Sequence, residues 1–421
     1  MLKNDNNGEK VKHTNEILPH LFRLEYSKMT AVICRHFGLK HIEIAEDIVS
    51  ETFLIATETW SINGIPNNPT AWLYTVAKNK AKDYLKRLTI SKSKTDSILS
   101  YNPENEREID FEIKTITDSQ LAMIFAVCNP LNSTEGQISL ALQILCGFSV
   151  EEIANAFLVK SETIKKRLFR ARKNLRNDSF QINGLNEKQI QSRIDTVLKT
   201  LYLLFNEGYY SKSSDYIIRK DLCLEAIRLL LILTENPITN ISQTNALLAL
   251  MCYQSSRFDA RENEVGEIVL FEQQNKDLWN QELIDKGNYY LISACSGNEI
   301  SKYHLEAAIA YWHTTPTDKN KWKHILQLYN QLILIEYSPI TALNRTFAFA
   351  KVFGKEKALK EAENINLKGN HYYYMLLGFL YSDTNIDKSI AYYDQASKMS
   401  KSKSEQKTLS KEIDRLKKIN K

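Results

Sequence analysis

Ser149 to Arg176, SVEEIANAFLVKSETIKKRLFRARKNLR, is the stretch from which the rest of the chain can be read outward. Ser149 with Glu152 three residues later fits a capping box, and Ile153, Ala154 and Phe157 form the apolar stripe of a short helix. Leu158, Val159 and Lys160 make a turn. Ser161 is placed to cap a second helix, in which Ile164, Leu168, Ala171 and Leu175 recur at spacings of four, three and four. Outside that stripe lie Thr163, Lys165, Lys166, Arg167, Arg170, Arg172, Lys173 and Arg176, opposed only by Glu162. A short capped helix with Ser, Thr and Lys near its start and Arg further along suits a helix-turn-helix that reads a DNA major groove.

The 421 residues are long for one core, so two or three domains are expected. With 43% apolar and 25% charged residues, most of the chain should be globular. The net charge of +5 is modest, and the cations concentrate around Lys78 to Lys94 and Lys160 to Arg176, which suits two local contacts with a polyanion. Six scattered cysteines, Cys34, Cys128, Cys146, Cys223, Cys252 and Cys295, read as reduced core residues without a metal partner. No apolar run approaches membrane-spanning length and the polar N-terminus lacks a signal-peptide core, so a cytoplasmic protein is expected. Only 13 glycines and 8 prolines, with apolar spacing of three and four throughout, predict an all-α chain.

The first ninety residues divide into three helices. Ile17 to Phe37 carries Leu18, Leu21, Phe22, Tyr26, Met29, Val32 and Ile33 on one side and ends at Gly38. Ile42 to Trp60 has an acidic exposed face of Glu43, Glu46, Asp47, Glu51 and Glu58. After the turn SINGIPNNPT, Ala71 to Leu88 reverses that charge with Lys78, Lys80, Lys82, Lys86 and Arg87, interleaved with Trp72, Tyr74 and Tyr84. Rings among cations suit single-stranded nucleic acid, since rings stack on unpaired bases while lysines follow phosphates. Trp72 is also placed to serve the helix's own core.

The run HIEIAEDIVSETFLIATETW followed by NNPTAWLYTVAKNKAKDYLKR resembles the second conserved region of bacterial extracytoplasmic-function sigma factors, with both motifs in the family's order. The resemblance implies that Asp47, Glu51 and Phe53 face core RNA polymerase, and that Trp72, Asn79, Lys82, Asp83, Lys86 and Arg87 belong to the helix that captures the melted minus-ten promoter element. Ser50 stands where many members have glutamine. Ser91 to Asp118 reads as a polar linker whose acidic stretch, Glu104 to Glu112, is either solvated or a nucleic-acid mimic. Leu121 to Cys146 then gives two apolar helices broken at Asn129 and Pro130, and Gly147 ends them. Together with Ser149 to Arg176 this resembles the family's fourth region, which reads the minus-thirty-five element. Ser161, Thr163, Lys165 and Lys166 would then face bases or nearby phosphates, and Arg167, Arg170 and Arg172 the DNA backbone.

From about Gly184 the chain remains helical, with apolar residues at three and four spacings between short polar turns. LLGFLYSDTNIDKSIAYYDQASKM matches much of a tetratricopeptide repeat, with Gly378 allowing two helices to approach and Tyr381 and Tyr393 filling the space between them. TLYLLFNEGYY, RFDARENEVGEIVLFEQQNKDLW, YHLEAAIAYWH and SPITALNR together resemble the sigma-factor group with a tetratricopeptide-like C-terminal extension. Glu207, Asp259, Trp279, His304, Asn344 and Arg345 stand in those blocks without an assigned chemistry. His304 and His313 are nine apart and read as structural rather than as metal ligands. No motif for catalysis occurs in a supporting context, so a non-enzymatic protein without a cofactor is expected.

The expected organisation is therefore 1–90 for the polymerase and minus-ten module, 91–118 for the linker, 119–180 for the minus-thirty-five helix-turn-helix and 181–421 for the helical extension. The expected partners are core RNA polymerase, promoter DNA as duplex and as melted strand, and a protein or small-molecule ligand of the extension. The alternative is a helix-turn-helix regulator with a repeat-type sensor that is not a polymerase subunit.

Overall fold

The computed structural model describes residues 5–92, 109–157, 159–180, 182–183, 185–210, 219–261, 263, 269, 271–297, 299–315, 318–365, 367–400 and 402–419. Most of the linker, including Glu104, Glu106 and Glu108, and Leu158 of the turn lie outside them. Every regular element among the described residues is helical. None of these helices is long and apolar enough to cross a membrane. The chain divides into two compact units, Met1–Leu201 and Tyr202–Lys421.

The first unit begins with α1 (Asp5–Phe37), α2 (Ile42–Asn63) and α3 (Pro69–Lys92). Tyr26, Met29, Val32 and Ile33 of α1 are buried with Ile42, Ala45, Ile48, Val49, Ala56 and Trp60 of α2 and Leu73, Ala77 and Ala81 of α3. Gly38 ends α1 at φ 85°, a backbone angle that a side chain would strain. Helix α1 starts at Asp5 rather than at Ile17, since a polar segment with no apolar stripe of its own, here even one containing Gly8, can still extend a helix that the core has nucleated.

Next come α4 (Ile113–Val127), α5 (Thr134–Cys146), α6 (Val150–Phe157) and α7 (Ser161–Asn177). The linker is therefore shorter than expected, because Ile113 to Asp118 already belongs to α4. Leu121 to Val127 is buried on all sides, since α4 lies between α1 and α5. Gly147 adopts the left-handed conformation at φ 68°, and the Phe148 amide donates to Leu142 O at 3.0 Å, which satisfies the open end of α5. The Ser149 and Glu152 capping box forms, with the Ser149 amide donating to Glu152 at 2.8 Å and the Glu152 amide donating to Ser149 Oγ at 3.2 Å. Ser161 does not cap α7: it is the first helical residue, and Lys160 takes the cap position without a side-chain bond. The stripe Ile164, Leu168, Ala171 and Leu175 is buried as its spacing predicts. Helix α8 (Glu187–Tyr209) carries the division between the units.

The second unit contains α9 (Lys220–Thr234), α10 (Ser242–Ser255), α11 (Gln281–Ala294), α12 (Lys302–Thr314), α13 (Lys321–Ile335), α14 (Pro339–Phe353), α15 (Lys355–Ile365), α16 (His371–Tyr381), α17 (Ile386–Met399) and α18 (Lys403–Ile419). Each helix from α10 to α18 packs against the next. A Cβ on Gly378 would meet the Tyr393 ring at 2.8 Å, and Ser389 Oγ donates to Gly378 O at 2.6 Å, so α16 and α17 touch where glycine permits it. Tyr393 is buried there, whereas Tyr381 stacks on Tyr392 at the edge of the pair.

Five cysteines are buried and burial pushes the Cys128, Cys223 and Cys252 thiols up to about 12, but Cys295 is exposed at the end of α11 and is not a core residue. His304 closes a capping box, its Nδ1 accepting from the Ser301 amide at 3.1 Å.

Candidate nucleic-acid interface

The candidate surfaces all lie in the first unit and come from three helices. On α2, Asp47, Ser50, Glu51, Leu54 and Glu58 are exposed, at intervals of three and four that place them along one side. Leu54 is 58% exposed, an apolar residue within an acidic stripe. Phe53 points the other way, buried at 5.0 Å from the Phe22 ring, because it follows the inward positions Val49 and Ala56 rather than the acidic ones. Glu51 carries an ion pair with Lys80 of α3 at 2.5 Å.

Helix α3 buries Leu73, Ala77 and Ala81 and exposes Asn79, Lys82, Asp83, Lys86 and Arg87. Trp72 is half-buried with its ring edge to Trp60 at 5.3 Å, so it serves the core and keeps part of its surface on the basic side. Tyr74 is held inward: its hydroxyl donates to Glu25 and its ring stacks on Phe111 at 4.7 Å. Burial first, and then the Glu25 carboxylate, push its pKa well up, so this hydroxyl stays protonated.

Helix α7 exposes Thr163, Lys165, Lys166, Phe169, Arg170 and Lys173, while Ser161 and Arg167 are half-buried. Phe169, 67% exposed amid cations, was not singled out by reasoning on charge, although it falls outside the buried stripe. Lys165 pairs with Glu162 at 2.7 Å on the surface, a contact that water weakens. Arg172 stands apart from this open face. Its Nη1 and Nη2 donate to Glu46 of α2 at 2.6 and 2.7 Å, and its Nε and Nη2 reach Gln143 of α5 at 3.2 and 2.8 Å. Burial would lower the pKa of Arg172, but the Glu46 bonds and charge outweigh it and raise the pKa. Arg176 pairs with Glu43, and Arg23 of α1 with Glu152 of α6 while lying 4.2 Å over Phe148. The C-terminal half of the basic helix is thus held to the N-terminal half of the acidic one.

Residues 21–89, within helices α1 to α3, match Sigma-70 region 2. The match supports a sigma-70 family member. Residues 193–295, from α8 into α11, match a family of unknown function, DUF6596, which fits an extension carried behind the sigma module. An uncharacterised protein of Rhizobium meliloti (strain 1021) is 31% identical over 381 residues, covering 87% of this chain and 89% of that protein. No solved structure matches the chain. The Sigma-70 region 2 match supports a sigma-factor-like role in binding core RNA polymerase and promoter DNA at transcription initiation, and sigma factors are not an enzyme family.

Proposed function

We propose that the chain is a cytoplasmic extracytoplasmic-function type sigma factor whose C-terminal, tetratricopeptide-like half regulates it. Asp47, Glu51 and the neighbouring Leu54 would dock on core polymerase. Trp72, Asn79, Lys82, Lys86 and Arg87 of α3 would hold the melted minus-ten strand, with rings on bases and cations on phosphates. Ser161, Thr163, Lys165, Lys166, Arg167 and Arg170 of α7 would meet the minus-thirty-five duplex.

The observation that carries this reading is the charge division within one unit: an acidic stripe on α2, a cationic face on α3 and a cationic face on α7, the first two within the matched region. An acidic face would repel DNA and a basic one attract it, so the faces need different partners. Reconstituted transcription with core polymerase on genomic templates tests it, with full-length chain and with chain ending near Gly184. Promoter-dependent initiation is the expected result. Tight duplex binding without polymerase, and no initiation with it, would instead favour a free-standing regulator.

A further inference from the structure

In the second unit, the connection between α10 and α11 lays the Phe271 ring among groups from three elements. The His313 ring of α12 lies 4.7 Å away with its plane at 71°, and the Trp279 ring lies 6.1 Å away. Arg257 Cζ stands 5.1 Å from the ring centre and Lys321 Nζ, at the start of α13, 5.7 Å. Lys276 Nζ sits 5.9 Å from the Trp279 ring.

The polar atoms here are unusually short of partners. Arg257 Nε, Trp279 Nε1 and His313 Nδ1 are buried without a hydrogen bond. Arg257 makes one side-chain bond, from Nη2 to Tyr209 OH at 3.0 Å, and Lys321 Nζ reaches only His313 O, at 3.5 Å. Among the described residues no carboxylate pairs with Arg257, Lys276 or Lys321. The cations are close enough to perturb one another. Burial, then Arg257 and Lys321, push His313 down to about 3, so it is neutral, and burial, then Lys276 and Arg257, lower Lys321.

Cation–π contact with Phe271 offsets part of the charge but cannot accept the in-plane N–H of Arg257 or of Trp279. A water could accept those bonds, yet it would leave the positive charge uncompensated. Among the described residues, what these groups lack is an acceptor that carries negative charge.

We propose that Arg257, Trp279, His313 and Lys321 form a binding site for the oxyanion group, carboxylate or phosphate, of a small molecule, with Phe271 and Trp279 as its apolar wall. Binding would satisfy the orphaned donors and neutralise the cations in one step. Charge-assisted bonds of Arg to a planar carboxylate or to phosphate are the strong ones in such sites. The site lies in the half of the chain for which the sigma-factor reading supplies no chemistry, and it needs neither polymerase nor DNA to be tested.

The experiment uses the full-length chain and two probes, sodium phosphate and sodium citrate, against sodium chloride at matched ionic strength, read by thermal unfolding and by isothermal titration. At least one probe should raise the unfolding midpoint beyond chloride, and the response assigns the site: phosphate alone to phosphorylated ligands, citrate alone to organic acids, both to oxyanions in general. Arg257→Gln and Lys321→Met should each weaken binding by about tenfold or more. Lys321→Met should also raise the midpoint without ligand, because it removes a cation that lacks a counter-charge. The proposal is overturned if neither probe exceeds chloride, if the variants bind as well as the parent, or if Lys321→Met lowers the ligand-free midpoint as a purely structural lysine would.

Discussion

Arg172 and Glu46, 126 positions apart in the chain, are joined by two guanidinium-to-carboxylate hydrogen bonds with both side chains nearly excluded from solvent, at 14% and 12% exposure. Such a pair costs far more to halve than to replace. Arg172→Ala should therefore destabilise the first unit by about 3 kcal/mol, while the double change Arg172→Met with Glu46→Leu should stay within about 1 kcal/mol of the parent. Chemical denaturation of the three proteins checks this. A loss in the double variant as large as in Arg172→Ala would show that the pair is worth more than the packing that replaces it.

Lys165 and Lys166 lie on the open face of α7, and Lys165 is engaged only by the surface carboxylate of Glu162. Lys165→Ala and Lys166→Ala should each weaken holoenzyme binding to the upstream promoter element by about 1 to 3 kcal/mol where the lysine meets a base, and uniformly across sequences where it meets phosphate. Footprinting titrations on native and altered upstream elements separate the two. Unchanged affinity in both variants would move the contact off this face.

Leu54 is the apolar member of the acidic stripe on α2. Leu54→Glu should lower affinity for core polymerase by about tenfold, since apolar anchors within a charged rim carry much of the binding energy, and should leave the fold unaffected because the side chain is already exposed. A competition assay with labelled sigma factor measures it.

Two half-buried ionisable residues of α12 should give opposite pH responses. Burial pushes the Glu306 carboxyl up to about 7, against the Tyr202 hydrogen bond and Lys302, with Glu336 assisting the rise. A raised folded pKa means that stability is present below the usual carboxyl value and lost as pH rises toward 7. His313, held down at about 3 by burial, Arg257 and Lys321, contributes stability above the usual histidine value that is lost as pH falls through the window below it. Glu306→Gln should accordingly gain about 1 to 3 kcal/mol relative to the parent at pH 8 and little at pH 4.5, and His313→Gln should reduce the loss between pH 6 and 4. Urea midpoints across that range are the measurement.

Gly378→Ala should destabilise the second unit by about 1 to 3 kcal/mol, because the added Cβ would stand 2.8 Å from the Tyr393 ring. Gly369→Ala, with nothing within 4 Å of its Cβ, is the matched control and should change little. Thermal unfolding of the pair decides between crowding and a general effect of losing glycine.

Most helices were legible in the sequence because the packing of a helix repeats along the chain. The α7 stripe, the Ser149 and Glu152 box and the stops at Gly38 and Gly147 all depend on residues within one or two turns of each other. Helices α15 and α18 were less so: α15 buries only Ala358 and Ala362 and α18 Leu409 and Leu416, so little apolar pattern marks them. Candidate surfaces were legible as clusters of charge, but not as faces. Phe53 and Leu54 are adjacent and equally apolar, and only the position of α1 decides that the first is core and the second surface.

By itself, then, the sequence determined an all-helical chain, the order of an acidic helix, a basic aromatic helix and a basic capped helix, and the resemblance those motifs carry. These follow from local spacing, capping and charge, which act over a few residues. The tertiary structure decided which cations are free and which are spent. It commits Arg172 to Glu46, leaves Phe169 in solvent, and gathers Arg257, His313 and Lys321 around one ring. Coulomb attraction and burial depend on distance in space, and the groups they couple lie up to 133 residues apart.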